Sequence, residues 1–595
     1  MWFGSSNRAL SKVRQVGTCR RVPSLRMIGT QFTYAATRRL GPVRTVSSSE
    51  TKKYSNITQR TQSTCAKDIN PEIDAPKPSE LFSFTSGRFV QNEEQELAQR
   101  YREFNINELA RRAARAVQAD RCLSIKKLPD GFYNRILLLT MDNGKEVVAK
   151  IPSPNSGRPH FTIASEVATM KFSTEYDWSS RAQDTPVGAE FILMEKLDGV
   201  ELRRVWPKMC REDMWEVVKA ITAYQESWAS VTFEQYGSLY FAEDFKGENI
   251  PALMYTDEKG RRVKDSRFVI GPSTSREMFD LGRDGIDFDR GPWNSLEEYH
   301  AAIAHRELAC VQHFPPLQPS SMTLTLRGIG LFQSTREKKV DALKSHLKLL
   351  KYILPVNRSL GSSHFCHNAL HGGNILVGPD DPCRIVGIID WQSTEVSPVY
   401  SHIHQPPFIK HFGPHLRGLD PPARPPDYYA MFQGDATLEK LADSIFWGNI
   451  LYKSYERLIG QRVPKMSECF EFQRSISCAL LGAANHLSID GEALLHFSLV
   501  CDLEKEWEML PGTQDIPSPL TLTTTDRDKI DEDAMNLMVS NEVMERIHTR
   551  LGRDFPHQGF VLHHNYRMVM EALSRARKKV LAEVENIRRE LESLK

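Results

Sequence analysis

The chain has 595 residues, 40% of them hydrophobic and 26% charged, with a formal net charge of +2. That length suits two or three domains, the balance suits a globular protein, and the near-neutral total gives no field that would gather nucleic acid. No apolar run reaches the ~18 residues a membrane span needs, and the ten cysteines are dispersed without a CxxC pair, which argues against a zinc-finger or disulfide framework and fits a reducing compartment.

The charge is unevenly placed. Residues 1–49 hold nine Lys/Arg, from Arg8 to Arg44, and no acid before Glu50. A cationic, Ser/Thr/Ala-rich start predicts a mitochondrial transit peptide over 1–50, with a disordered basic arm as the plainer alternative. Residues 51–80 are polar and aperiodic, end in Pro71, Pro76 and Pro78, and read as a disordered linker. Between Glu93 and Ala119 the residues Leu97, Tyr101, Phe104, Leu109, Ala113 and Val117 recur near a helical period. Two strand-like runs, Arg135–Met141 and Glu146–Ile151, flank the hairpin turn Asp142-Asn143-Gly144, and Gly188–Glu195 predicts another strand.

Beyond residue 208 helical patterns dominate: Asp213–Trp228, Ser295–His313, Glu337–Leu354, Leu438–Arg457 and Phe472–His486. A hairpin over 375–390 interrupts them, a Pro-rich loop covers 414–426, and the tail from Glu571 to Glu592 predicts a charged amphipathic helix too short for several heptads. The expected fold is α+β and two-lobed. It comprises a small β-rich N-lobe (81–196), a large helical C-lobe (197–515) with a catalytic-loop hairpin at 364–392, and a helical C-terminal extension (516–595).

One stretch carries the chemistry. His367-Asn368-Ala369-Leu370-His371-Gly372-Gly373-Asn374 is followed by two short apolar strands, Ile375–Val377 and Arg384–Ile389, and then by Asp390-Trp391. Such a hairpin brings Asn374 and Asp390 out at the same end, where an amide oxygen and a carboxylate are hard ligands suited to Mg²⁺ on nucleotide phosphates. A buried hairpin with an Asn cap and an Asp turn is the plainer alternative, but the combined pattern is far more specific than a lone motif.

The front half supplies matching parts. Lys150 ends the apolar run Val147-Val148-Ala149, where an ammonium suits the α- and β-phosphates, and Glu166 within Ala164–Met170 is the expected ion-pair partner. A lone strand lysine or helix glutamate is usually a solvated surface residue. Here both precede a hinge-like Met194-Glu195-Lys196, and Asp130-Gly131-Phe132-Tyr133-Asn134 stands where a phosphate-covering loop belongs.

Together with Phe84-Thr85-Ser86-Gly87-Arg88, Val148-Ala149-Lys150-Ile151-Pro152, Tyr236–Tyr240, Gly291-Pro292-Trp293 and Ile389-Asp390-Trp391-Gln392, these motifs resemble the aminoglycoside phosphotransferase/choline kinase-like superfamily. Within it they resemble the fungal altered inheritance of mitochondria protein 9 group, over roughly residues 82–510. The resemblance implies a protein-kinase-like fold, a mitochondrial address, and ATP with Mg²⁺ between the lobes. It implies that Lys150 holds ATP phosphates, Glu166 positions Lys150, Glu195 lies at the cofactor hinge, Asn374 and Asp390 bind the metal, and His367 is structural. An active protein would transfer phosphate from ATP to a small hydroxylated acceptor.

Two departures qualify that expectation. The family loop runs His-x-Asp-Leu-His-x-Gly-Asn, and Ala369 occupies the Asp position. A positioned base contributes on the order of 10²–10⁴ in rate, and an alanine methyl cannot replace it. The stretch between Glu166 and Trp178 is also too short for a full helix and the following strand. Both departures fit either a catalytically dead scaffold that binds nucleotide or a partner, or an error in the protein sequence, the second being compatible with a misplaced exon boundary. His364, His367, His371, His402, His404, His411 and His415 fall close together. Three of them belong to the loop pattern and prolines break the rest, so no transition-metal site is expected.

Overall fold

The computed structural model describes residues 69–90, 92–171, 177–245, 250–314, 335–401, 406–409, 436–485, 487–488, 492–535, 559–575 and 589. The expected transit peptide, linker residues 51–68, the 414–426 loop and most of the tail helix lie outside these residues.

The N-lobe is built on alternation. After a two-residue strand β1 (Arg88–Phe89) and helix α1 (Ile106–Ala116) come β2 (Cys122–Lys127), β3 (Asn134–Met141) and β4 (Glu146–Pro152). Helix α2 (Phe161–Met170), β5 (Asp177–Ser179) and β6 (Phe191–Glu195) follow. The strands form one antiparallel sheet in the order β2-β3-β4-β6-β5. Every second residue of β3 is buried, so Leu137, Leu139 and Met141 share one face. They meet Val147 and Ala149 of β4, Phe191 and Leu193 of β6, and Leu109 and Ala113 of α1 in a single core. Burying each such Leu or Phe contributes about 1.5–3 kcal/mol. Gly144, at φ +80°, makes the tight β3–β4 turn, a conformation that costs a side-chain-bearing residue strain.

Two sequence expectations need correction here. The helical run 93–119 is split into Glu93–Ala98 and α1, because Arg102 N–H bonds Phe82 O at 3.2 Å and Asn105 N–H bonds Val187 O at 2.7 Å. Asn105 then caps α1 by accepting from Glu108 N–H at 3.1 Å. The expected linker also ends too late. Asp74 bridges Ser124 of β2, Ile69 and Ile73 pack on the N-lobe core, and Leu81 in the short helix Pro78–Phe82 is fully buried, so 69–80 belong to the lobe.

The C-lobe begins with β7 (Val200–Glu201), α3 (Arg211–Ala229), β8 (Thr232–Phe233), β9 (Ser238–Phe241), β10 (Leu253–Thr256), β11 (Arg262–Asp265) and β12 (Phe268–Gly271). Helices α4 (Leu296–His313) and α5 (Arg336–Ile353) precede β13 (Ser363–Cys366), β14 (Ile375–Val377), β15 (Ile385–Ile388) and β16 (Glu395–Pro398). Then come α6 (Ala436–Arg462), α7 (Lys465–Gln473), α8 (Ile476–Ala484), α9 (Glu492–Glu506) and, far along the chain, β17 (Phe560–Val561). The expected helix 472–486 is broken between α7 and α8, where Ser475 caps α8 by accepting from Cys478 N–H at 3.1 Å.

Val217 and Ile221 of α3, Leu349 and Ile353 of α5, Val377 of β14 and Tyr455 of α6 share the main C-lobe core. The lobe is less purely helical than its sequence suggests, since β11-β10-β8-β13-β16 form a second five-stranded sheet. A third core joins the lobes: Ile163, Val167 and Ala168 of α2 pack with Phe241, Phe268, Ile270 and Val396. The helix carrying Glu166 is thus fixed from both sides. The architecture is α+β and two-lobed. Among the described residues, no helix is long and apolar enough to cross a membrane.

Candidate functional site

Lys150 lies on β4 opposite Ile136 of β3 and Ile192 of β6, in the middle of the N-lobe sheet. Its Nζ is 2.6 Å from Glu166 Oε1 on α2 and 2.7 Å from Asp390 Oδ1 beyond β15. The Lys150 and Glu166 side chains are 5% and 1% exposed, whereas Asp390 keeps 39% of its surface open, so solvent reaches the cluster from the Asp390 side. Burial alone would lower the Lys150 pKa, but the Asp390 and Glu166 carboxylates more than offset it and hold the ammonium charged. Burial and the neighbouring Asp390 charge raise the Glu166 pKa against the pull of Lys150. At Asp390 burial also acts upward, yet the lysine charge and hydrogen bond win and lower its pKa.

The hairpin β14–β15 carries the other half of the site. Ile375 pairs with Ile388, and Ile389 N–H donates to Asn374 O at 2.9 Å, which brings Asn374 and Asp390 to the same end. Asn374 Nδ2 donates to Ala369 O at 3.0 Å, which orients the amide and leaves its oxygen outside that bond, where it could meet a cation. Asp390 sits at φ +65°, a left-handed conformation that short polar residues tolerate better than most and that recurs at functional turns. Gly372 lies in a tight approach. Arg203 N–H donates to its carbonyl at 2.8 Å, and a Cβ at Gly372 would lie 3.1 Å from Arg203 N.

Around position 369 the loop is tightly tied. His371 N–H bonds Ala369 O at 2.7 Å, and Asn368 Nδ2 donates to Ser393 O at 2.6 Å. His367 is buried, with Nε2 3.1 Å from Ile389 O and its ring edge-on to Trp391 at 4.6 Å. Burial lowers its pKa to about 4, so it is neutral at physiological pH and its contacts are those of a structural residue. The Ala369 methyl adds no polar group.

The donor set fits a magnesium nucleotide. Asp390 and Asn374 offer a carboxylate and an oriented amide oxygen, both hard donors, and Lys150 beside Asp390 supplies the cation that polyphosphate oxygens favour. When bound, the metal would neutralise phosphate charge.

Glu195 stands apart. It is exposed at the end of β6 and pairs with Val147, three residues along β4 from Lys150, so about 10 Å separates the two positions at strand rise. The loop Asp130–Asn134 lies between β2 and β3, next to the Lys150 register. Asn134 Nδ2 donates to Gln392 Oε1 at 2.6 Å and Gln392 Nε2 donates to Ser156 O at 2.7 Å, a clasp between the lobes. Sequence reasoning missed Arg276, which stacks 3.2 Å over the Tyr133 ring and reaches Asn155 O at 3.4 Å. Its only signal was the polar run that follows β12. His364 bonds Val231 O at 2.6 Å, while His402, His404, His411 and His415 lie outside the described residues. Among the described residues no cluster of three metal-ligating side chains forms.

Residues 298–401 match the model of the phosphotransferase enzyme family, a stretch that takes in the loop and hairpin but not Lys150. Over 353 residues the chain is 29% identical to a subtelomeric hrmA-associated cluster protein of Aspergillus fumigatus, covering 53% of this chain and 66% of that one. Over 376 residues it is 26% identical to altered inheritance of mitochondria protein 9, mitochondrial, of Yarrowia lipolytica, covering 58% and 63%. The match therefore spans just under two thirds of these curated relatives' length. Among solved structures, aminoglycoside phosphotransferase APH(4)-Ia aligns with a TM-score of 0.29 and 10% identity, over 73% of this chain and 98% of that one. The chain thus resembles the aminoglycoside phosphotransferase/choline kinase-like superfamily and, within it, the altered inheritance of mitochondria protein 9 group.

Proposed function

We propose that the chain is a mitochondrial kinase-like protein that binds ATP with Mg²⁺ between its lobes and has lost most phosphoryl-transfer capacity at position 369. The observation carrying this reading is Lys150 held between Glu166 and Asp390, at 2.6 and 2.7 Å, with the β14–β15 hairpin bringing Asn374 to the end that carries Asp390. In this reading Lys150 holds the phosphates, Glu166 positions Lys150, and Asn374 with Asp390 binds the metal. Glu195 would meet the nucleotide base through the backbone at the end of β6. The mitochondrial address is supported by the basic, acid-free residues 1–49 and by the relatives named as mitochondrial.

Transfer would run from ATP to a small hydroxylated acceptor, slowed by about 10²–10⁴ because Ala369 cannot take the acceptor proton. Asn368, tied through Nδ2 to Ser393 O, favours a second reading, a nucleotide-binding scaffold with no turnover, since an amide beside Ala369 is no base for the acceptor proton. The test measures MgATP affinity and ATP turnover for the wild type and Ala369→Asp. Binding with low turnover, and turnover restored by Ala369→Asp, supports the degenerate kinase. Binding with no gain supports the scaffold, and absence of nucleotide binding refutes both.

A further inference from the structure

The turn Asp130–Asn134 ends two residues before Ile136, the sheet partner of Lys150, and it is gripped by both ends of the described chain. From the N-terminal side, Thr85 donates its backbone N–H to Asp130 Oδ2 at 2.7 Å, and Ser86 Oγ donates to Asp130 O at 2.9 Å. From the C-terminal side, β17 pairs antiparallel with β1, Phe560 opposite Phe89 and Val561 opposite Arg88, and Val90 N–H donates to Gly559 O at 2.8 Å.

This pairing sets the Phe560 ring edge-on against Phe132 in the turn, at 5.0 Å between centroids, and 5.7 Å from Phe89. Arg88 stacks 3.8 Å from the Tyr566 ring and fixes the residues that follow β17. Gly87 permits the approach: a Cβ there would lie 2.5 Å from both the Phe560 ring and Val561 O, closer than any real contact. A solvated tail would not require a glycine at that position.

We propose that Phe560, delivered by β17, is a positioning residue for the nucleotide phosphates: through Phe132 it sets the Asp130–Asn134 turn over the phosphate subsite beside Lys150. This rests on the nucleotide-binding reading above. Phe560 itself touches no ligand in this scheme. Its removal acts only through the turn, so it weakens ligands that carry phosphates and leaves a bare nucleoside alone.

The test is calorimetric titration of the full chain with MgATP and, separately, with adenosine, together with hydrogen exchange across residues 130–134. An edge-on aromatic contact of ordinary strength corresponds to an expected loss of about three- to tenfold in MgATP affinity for Phe560→Ala. Adenosine affinity stays unchanged, exchange in the turn accelerates, and Phe560→Tyr keeps wild-type affinity. Gly87→Ala, which expels the strand from the opposite side, reproduces the selective loss. Equal weakening of both ligands, or unchanged MgATP affinity in Phe560→Ala when the wild type binds MgATP, overturns the positioning role alone. A wild type that binds neither ligand overturns the nucleotide reading and this role with it.

Discussion

Lys150 and Asp390, 240 residues apart in sequence, meet at 2.7 Å across the junction of the two lobes. One end of that contact stands on the N-lobe sheet and the other on the turn after β15. Its partner Glu166 stands on a helix that the C-lobe also holds through Phe241, Phe268 and Val396. The candidate site is therefore also a fastener between lobes.

Breaking the fastener should cost stability. Lys150→Met leaves the fully buried Glu166 without its cation, and removing one partner of a buried pair typically costs about 3–5 kcal/mol. Asp390 adds less than Glu166, because 39% of its side chain is open to solvent. Chemical denaturation should show the single variant strongly destabilised and Lys150→Met/Glu166→Leu partly recovered. Equal stability of the two variants would contradict the pairing.

The metal end predicts a separable effect. Lys150 lowers the Asp390 pKa, so this carboxylate is ionised at neutral pH and can hold Mg²⁺ there. Asp390→Asn should abolish the Mg²⁺ dependence of ATP affinity while adenosine still binds. A variant that responds to Mg²⁺ as the wild type does would place the metal elsewhere.

Gly372→Ala gives a packing prediction. The new Cβ would sit 3.1 Å from Arg203 N and 3.3 Å from Arg203 Cα, both backbone atoms with little freedom to move. Overpacking of this kind typically costs about 1–3 kcal/mol. Thermal unfolding should show a lowered midpoint, and an unchanged midpoint would mean that the loop yields easily.

A buried histidine pair in the C-lobe predicts acid sensitivity. His346 on α5 and His496 on α9 lie with rings 5.9 Å apart, and none of their four ring nitrogens has a hydrogen-bond partner. Burial lowers the two pKa values to about 4 and about 3, from 6.5 in the unfolded chain. Between pH 6.5 and 4 the unfolded state therefore binds protons that the folded state refuses, so this contribution to stability falls as pH falls. His346→Leu should be more stable than the wild type, with the gap widening on acidification by up to about 3 kcal/mol near pH 4. A gap independent of pH would show that His346 titrates normally.

How much of this was legible depended on sequence separation. The loop and hairpin from His367 to Asp390 form within a few residues of themselves, so their pattern announced the site, and Lys150 was marked by its strand. Glu166 was readable because a short helix follows that strand. The second sheet was not, since β8 has only Thr232 and Phe233 and draws its partners from residues such as Ser363 and Tyr255. The break after Ala98 escaped the periodicity because a tertiary bond, Asn105 N–H to Val187 O, overrides it. Strand β17 was invisible for the same reason: two residues carry no period, and their partner lies near the other end of the chain.

The most direct measurement is calorimetric titration of MgATP into the wild type and Lys150→Ala. A charged hydrogen bond of about 1.5–3 kcal/mol corresponds to roughly a ten- to hundredfold weaker Kd in the variant. Saturable MgATP binding by the wild type with that loss in Lys150→Ala is the predicted result. Absent binding by the wild type, or equal affinity in the two proteins, would contradict a nucleotide site built on Lys150 and Asp390.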